Sequence, residues 1–262
     1  MRRGWLAGIL FLASACGDPA PDPGRIDVDP AAAVSGYAFL TPETQAQQDD
    51  DFLNPGFLWV DRGAGLFESG EAVSASCASC HGAGGKPLEG KAARYPRIDE
   101  ATGKLTNLEV RINYCRTRHQ AAEPLAHESD DLLALSAYVA RLSRGAPVAI
   151  EPDERLGAAY AKGRDYFFTR RGQLNLACHH CHDRNWGRAL RGDTISQGHG
   201  NGFPAYRLEW QTMGSLHRRF RDCDTGVRAE PKQLGSEDYL ALELYLARRG
   251  SGLPIEAPAV RP

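Results

Sequence analysis

Cys77-Ala78-Ser79-Cys80-His81 and Cys178-His179-His180-Cys181-His182 both read C-x-x-C-H, and this repeated pentapeptide decides the fold. Two thiols separated by two residues reach one edge of a porphyrin and add across its vinyl groups. The histidine that follows turns beneath the iron and takes an axial position. A single C-x-x-C serves zinc or a redox dithiol as readily. Two copies, each closed by histidine, point instead to two covalently bound haem c groups. Cys77 and Cys80 would hold the first and Cys178 and Cys181 the second, with His81 and His182 as iron ligands.

Outward from these motifs the chain repeats itself. Arg62-Gly63 opens a helical stretch towards Cys77, and Lys162-Gly163 opens one towards Cys178. Tyr95-Pro96 matches Phe203-Pro204, and each pair stands equally far before a lone cysteine, Cys115 or Cys223. Leu108 matches Leu216, Arg111 matches Arg219, and Ala122-Glu123-Pro124 matches Ala229-Glu230-Pro231 with one residue of slip. The closing stretches, Leu132 to Arg141 and Tyr239 to Arg248, are amphipathic. Leu132, Leu135, Val139 and Leu142 share one helical face, as do Leu240, Leu244 and Ala247. Ser129 with Asp130 and Ser236 with Glu237 supply N-terminal caps and early acidic charge, and Gly145 and Gly250 supply stops.

The expected fold is all-α with irregular loops, a tandem repeat of two class I cytochrome c-like domains. Residues 37–150 form the N-terminal cytochrome c domain with the first haem. It includes an irregular arm, whose Tyr37, Phe39, Phe52, Phe57 and Trp59 are expected to pack on it. Residues 151–262 form the C-terminal cytochrome c domain, with the second haem and the active site. Pro147 and Pro152 mark the join.

The 262 residues allow one or two domains, and 42% hydrophobic with 24% charged residues is a globular composition. A formal net charge of -2 with no basic block offers nothing to nucleic acid. Arg2-Arg3, the apolar run Gly4 to Leu12 and the small residues Ala13-Ser14-Ala15 read as a signal peptide over residues 1–15, too short to span a bilayer. Cleavage after Ala15 fits. So does lipidation of Cys16 through the imperfect lipobox Leu12-Ala13-Ser14-Ala15-Cys16. Residues 16–36, rich in Pro, Asp, Gly and Ala, are expected to be a flexible tether. Both routes lead to the periplasm, the protein being soluble or anchored through Cys16.

The sixth iron position is the open question. Small cytochromes c use methionine there, yet beyond the signal only Met213 remains. His119, His127, His179, His180, His199 and His217 are candidates, but none recurs at matching positions of the repeat. Cysteine does recur, as Cys115 and Cys223. In an oxidising compartment two spare cysteines pair by default. Two haem crevices, however, cannot easily bring their Cα atoms within the roughly 7 Å that a disulfide needs. Thiolate ligation by Cys115 and Cys223 is therefore favoured over a bridge. An anionic ligand stabilises ferric iron and lowers the haem potential. Arg111 and Arg219 each stand four residues before their cysteine, which on a helix places the guanidinium over the thiol. A haem propionate would suit either arginine. The further cations around Cys223, Arg218, Arg221, Arg228 and Lys232, also suit a small sulfur oxyanion.

These residues resemble the SoxA family, over about residue 37 to the end. The most specific carriers are Arg219-x-x-x-Cys223, Val227-Arg228-Ala229-Glu230-Pro231, Gly235-Ser236-Glu237 and Leu242-Glu243-x-Tyr245-Leu246; Asn113-Tyr114-Cys115-Arg116 and Asn54-Pro55-Gly56 are also similar to it. The retained first motif marks the dihaem type. The resemblance implies the catalytic subunit of an L-cysteine S-thiosulfotransferase. That enzyme oxidatively joins thiosulfate to a cysteine of the carrier protein SoxYZ and releases two electrons. It implies that Cys223 is catalytic, as distal ligand and sulfur carrier, and that Arg219 holds thiosulfate. It also implies SoxX, a small monohaem cytochrome, as heterodimer partner, and a downstream cytochrome as electron acceptor. The alternative is a dihaem c-type electron carrier without sulfur chemistry of its own. A dihaem peroxidase would need an open distal position, which two filled sites argue against.

Overall fold

The computed structural model describes residues 32–69 and 75–262. The signal peptide and most of the tether lie outside the described residues. The first half contains α1 (Pro42–Asp49), α2 (Phe57–Ser69), α3 (Cys77–His81), a hairpin of β1 (Arg97–Ile98) and β2 (Leu105–Thr106), α4 (Leu108–His119) and α5 (Asp130–Arg141). The second half follows with α6 (Gly157–Phe168), α7 (Cys178–His182), a small hairpin of β3 (Ala189–Leu190) and β4 (Asp193–Thr194), then β5 (Ala205–Arg207), β6 (Thr212–Gly214), α8 (Leu216–Gly226), α9 (Glu237–Arg249) and β7 (Ala259–Arg261). The protein is mostly helical, as its periodicity requires, but it is not all-α. β5 pairs antiparallel with β6 and parallel with β7. Strands of two or three residues are too short for an alternating pattern to register in sequence.

Polar caps set the helix starts. Asn107 Oδ1 accepts from Val110 N at 3.0 Å and opens α4; Ser215 Oγ accepts from Arg218 N at 3.1 Å and opens α8. Ser129 and Ser236 open α5 and α9 in the same way. Gly250 caps α9, whereas α5 ends on Leu142 and Gly145 lies beyond it at φ 83°.

Each half is closed by a helix crossing at a glycine. α2 crosses α5 and α6 crosses α9. A Cβ on Gly63 would lie 2.1 Å from Ala134 O, and one on Gly163 would lie 1.9 Å from Ala241 O. The backbones meet directly, so each closing helix lies against the helix that leads into its C-x-x-C-H turn. Around the second crossing Phe167, Phe168, Phe220, Tyr239, Leu242, Tyr245 and Leu246 form a buried cluster. Around the first, Val60, Leu133 and Ala137 pack with Met213, which comes from β6 of the other half.

The arm and the join depart from expectation. Residues 37–49 are not irregular and do not belong to the first half alone. Thr41 caps α1, and Gln48 Oε1 accepts from Val260 N at 3.1 Å. Asn54 Nδ2 donates to Pro258 O at 2.9 Å, and Phe39 packs edge-on against Trp186 with centroids 6.1 Å apart. The reason is hydrogen-bond satisfaction. The C-terminal segment has one sheet partner, and the arm supplies polar groups for its remaining backbone. The tether reading also ends too late, because Val34 N donates to Gln197 Oε1 at 2.8 Å and Ser35 Oγ bonds Glu256. The join is likewise tied down, with Val148 N donating to Leu253 O and Gly252 N to Val148 O.

Gly163→Ala should destabilise the fold by about 3 kcal/mol or more, since the added methyl group meets backbone that cannot rotate away. Chemical denaturation monitored by far-ultraviolet circular dichroism reads this directly, with the surface change Gly65→Ala, which meets nothing within 4 Å, as the control.

Candidate haem sites and the Cys223 centre

α7 is a single turn, which puts Cys178 and Cys181 on one side and His182 at its end. His182 Nδ1 lies 2.8 Å from Ser196 O and donates to it, which leaves the Nε2 lone pair free for a metal. Gly198, at φ 78°, lies flat against the ring; a Cβ there would fall 2.8 Å from His182 Cγ. Burial pushes the His182 pKa down to about 4, helped by the charges of Arg219 and Arg249 and opposed by the Ser196 bond. The imidazole is therefore held neutral, as a ligand must be. Behind it Arg249 forms a buried ion pair with Asp183, and Arg249 Nη2 reaches His182 O at 3.4 Å.

α8 carries Cys223 into the same space. Burial pushes the Cys178 thiol up to about 12, with Arg171 pulling it down and Cys223 pushing it further up. Cys181 is raised by burial and again by Cys223. Arg219 acts on His182 from the same helix. The second motif, Cys223 and Arg219 thus converge. The residue after Cys223 fixes the helix: Asp224 Oδ2 accepts from Tyr166 Oη at 2.6 Å and Tyr239 Oη at 2.8 Å, and Asp224 Oδ1 pairs with Arg171 at 3.4 Å.

The first half repeats the arrangement with Cys115. Burial raises the Cys115 thiol, Arg111 counters it, and the neighbouring Cys77 raises it again. Burial and Arg111 lower the His81 pKa. Arg111 is itself paired, Nη1 to Asp99 Oδ2 at 2.5 Å. Gln120 Nε2 donates to Cys77 Sγ at 3.5 Å. All six described cysteines are unbridged, so no disulfide joins Cys115 to Cys223.

The other candidate ligands have different work. His217 Nδ1 accepts from Gly235 N at 3.1 Å while Nε2 lies 3.0 Å from Glu243. His199 Nε2 lies 3.0 Å from Gln197 Oε1 and His127 Nδ1 lies 3.3 Å from Glu109. His179 packs against His180 with ring centroids 4.0 Å apart, His119 meets Tyr114 edge-on at 5.9 Å, and Met213 is fully buried. Sequence reading missed Asp224, Asp99 and a buried arginine, Arg207. None belongs to a motif. The repeat offset that aligns Tyr95 with Phe203 could have found the last two. The donor set fits haem c: two thiols and a neutral imidazole on one helical turn, with a third sulfur brought over from the following helix.

A close glycine helix crossing beside a C-x-x-C-H turn defines a c-type cytochrome domain, and residues 62–148 match the family model described as SoxA/TsdA, cytochrome c domain. Over the whole chain the likeness is narrower. An L-cysteine S-thiosulfotransferase subunit SoxA from Pseudaminobacter salicylatoxidans is 38% identical over 98% of this chain and 95% of its own. A second, from Rhodovulum sulfidophilum, is 39% identical over 92% and 85%. The crystal structure of SoxXA from P. pantotrophus superposes with a TM-score of 0.84 at 38% identity, covering 88% of this chain and 87% of that one. The chain belongs to the SoxA family.

Asp224→Ala should cost about 3 kcal/mol, because it strands two tyrosine hydroxyls and Arg171 around Cys223; thermal denaturation checks it. His199 gives a pH signature. Burial holds its pKa at about 3, against roughly 6.5 when unfolded. Above pH 6.5 both states are neutral and its contribution is complete. Between pH 6.5 and about 3 only the unfolded chain takes the proton, so stability falls with a slope approaching about 1.4 kcal/mol per pH unit. Denaturation midpoints across that range should flatten in His199→Asn.

Proposed function

We propose that this chain is the catalytic subunit of an L-cysteine S-thiosulfotransferase, a dihaem c-type cytochrome built as two tandem cytochrome c-like units. Haem c chemistry is supported by the family match to residues 62–148. A second haem is supported by the second C-x-x-C-H turn and its equivalent helix crossing. The observation that carries the reading is the convergence of Cys223 and Arg219 on Cys178, Cys181 and His182, in a chain whose relatives bear this enzyme's name.

A haem c would be held by Cys178, Cys181, His182 and Cys223 in one half and by Cys77, Cys80, His81 and Cys115 in the other, and would supply an iron that accepts electrons one at a time. The remaining work falls to side chains. Arg219 receives the sulfonate oxygens of thiosulfate and offsets their charge. The Cys223 thiolate and the sulfane sulfur of thiosulfate form an S–S bond, which gives an enzyme S-thiosulfonate and releases two electrons. The thiolate of the carrier's cysteine then attacks that sulfane sulfur and displaces Cys223 as thiolate. The net change joins a carrier thiol to thiosulfate, giving a cysteine S-thiosulfonate, one proton and two electrons. Asp224, Tyr166 and Tyr239 keep the Cys223 turn in place.

The electrons pass to a monohaem cytochrome of the SoxX kind, since the solved relative is a SoxXA complex, and onward to a soluble cytochrome. The sulfur acceptor is a SoxYZ-type carrier. Export to the periplasm follows from the signal reading of residues 1–15, with Cys16 as the alternative lipid anchor. A plain dihaem electron carrier is the second reading. It leaves unexplained why the arginine beside Cys115 is neutralised by Asp99 while the equivalent hairpin position in the other half holds Arg207.

Cys223→Ala should abolish thiosulfate-dependent electron transfer while both haems stay attached, and should remove one of two thiolate-type low-spin ferric signals in electron paramagnetic resonance. Cys115→Ala should remove the other signal and keep turnover. Full activity in Cys223→Ala would sink the mechanism and leave the electron-carrier reading.

A further inference from the structure

The two halves share a hairpin register but not its charges. Arg97 pairs with Thr106 and Ile98 with Leu105 in the first half, as Ala205 pairs with Gly214 and Tyr206 with Met213 in the second. The next residue along is Asp99 in one hairpin and Arg207 in the other, and each is 6% exposed. The same register aligns Arg111 with Arg219 and Cys115 with Cys223. Beside Cys115 the arginine is neutralised by Asp99 at 2.5 Å. Beside Cys223 the position of that carboxylate holds a second guanidinium.

Burying Arg207 near a second, half-buried guanidinium, Arg219, is costly unless an anion completes the group. Burial and the charge of Arg219 both press on Arg207, with Glu209 and Cys223 favouring its charge. Its carboxylate partner, Glu209 at 3.0 Å, is 57% exposed and so screened by water. Arg207 Nε is buried with no hydrogen-bond partner among the described residues. A platform holds the group in place. The Trp210 ring has the Arg207 guanidinium 5.0 Å from its centroid and that of Arg218 at 4.3 Å, and Trp210 Nε1 donates to Asp222 Oδ2 at 2.8 Å, one residue before Cys223. A donor for an oxyanion is thus built in.

We propose that Arg207, together with Arg219, forms a two-guanidinium seat for the sulfonate end of thiosulfate beside Cys223, and that Asp99 is what closes the equivalent seat beside Cys115. The proposal rests on the thiosulfotransferase reading. It assigns the dianion's specificity to a charge exchange at one position of a repeated hairpin. A two-charge seat also orients the bound anion, with its sulfane sulfur left towards Cys223.

The test uses the haem-loaded protein with its cytochrome partner, comparing wild type, Arg207→Gln and Glu209→Gln. Thiosulfate binding is measured by calorimetry, KM and kcat by reduction of a cytochrome acceptor, and the potential of the second haem by redox titration. Arg207→Gln should weaken binding and raise KM roughly 10- to 100-fold, as loss of a buried charged hydrogen bond requires, with a smaller change in kcat. Glu209→Gln, at an exposed site where folding is not at stake, should bind thiosulfate several-fold more tightly because a competing anion is gone. Unchanged affinity in both variants overturns the proposal. So does a shifted haem potential with unchanged affinity in Arg207→Gln, which would make Arg207 a propionate clamp. If Arg207→Gln does not fold, the Glu209→Gln affinity decides alone. A wild-type protein that neither binds nor oxidises thiosulfate would instead remove the functional reading itself, with Arg207 falling along with it.

Discussion

At Gly163 the backbone of α6 comes so close to α9 that one methyl group would overlap the Ala241 carbonyl, and Gly63 imposes the same limit between α2 and α5. The rest of each half depends on this contact. A side chain at either glycine would force the helices apart by more than the packed interior tolerates. With the helices crossed, the C-x-x-C-H turn leaves one of them and the cysteine-bearing helix packs over the other. The second cluster of Phe167, Phe168, Phe220, Tyr239 and Tyr245 then fills the corner, and joins α6, α8 and α9 in one apolar body. The helix that carries Cys223 is anchored in that corner by Phe220, which is buried in the cluster.

On that common scaffold the halves differ in charge. His182 is followed by Asp183, which is paired with Arg249 and buried, whereas His81 is followed by Gly82. Cys223 is followed by Asp224, which draws in two tyrosines and Arg171; Cys115 is followed by Arg116, whose Nε donates to Glu123 O. The second half thus spends buried polar groups to hold its turn and its sulfur. Buried polar networks of this kind stabilise little by themselves and define geometry when every member is satisfied.

The halves are not independent bodies. Met213 of β6 lies in the core of the first half, and Asn107 Nδ2 donates to Glu243 Oε2 at 2.9 Å while His217 lies 3.0 Å from the same carboxylate. Burial opposes charge on His217, but Glu243 outweighs it and raises its pKa. The Cys223 helix is therefore fastened at its start to a carboxylate that the first half also holds. The N-terminal arm closes the structure from outside through Gln48 and Asn54.

The sequence by itself determined the helices, the two C-x-x-C-H turns and the repeat that sets a lone cysteine after each of them. Those features rest on local spacing, and local spacing survives in the one-dimensional chain. Ser129, Ser236, Asn107 and Ser215 set the helix starts within reach of their own backbone, so the first two were legible and the others could have been. Only the tertiary structure decided where the arm docks, that β5 gains a parallel partner from the last residues, and which charges face each sulfur. These depend on contacts between residues far apart in the chain, such as Gln48 with Val260 and Asp224 with Tyr166. Arg207 shows the difference most clearly. As a letter it is one arginine among many. Placed on β5 it occupies the site where the other half has Asp99, and that exchange acquires meaning only once the two hairpins are seen to share a register.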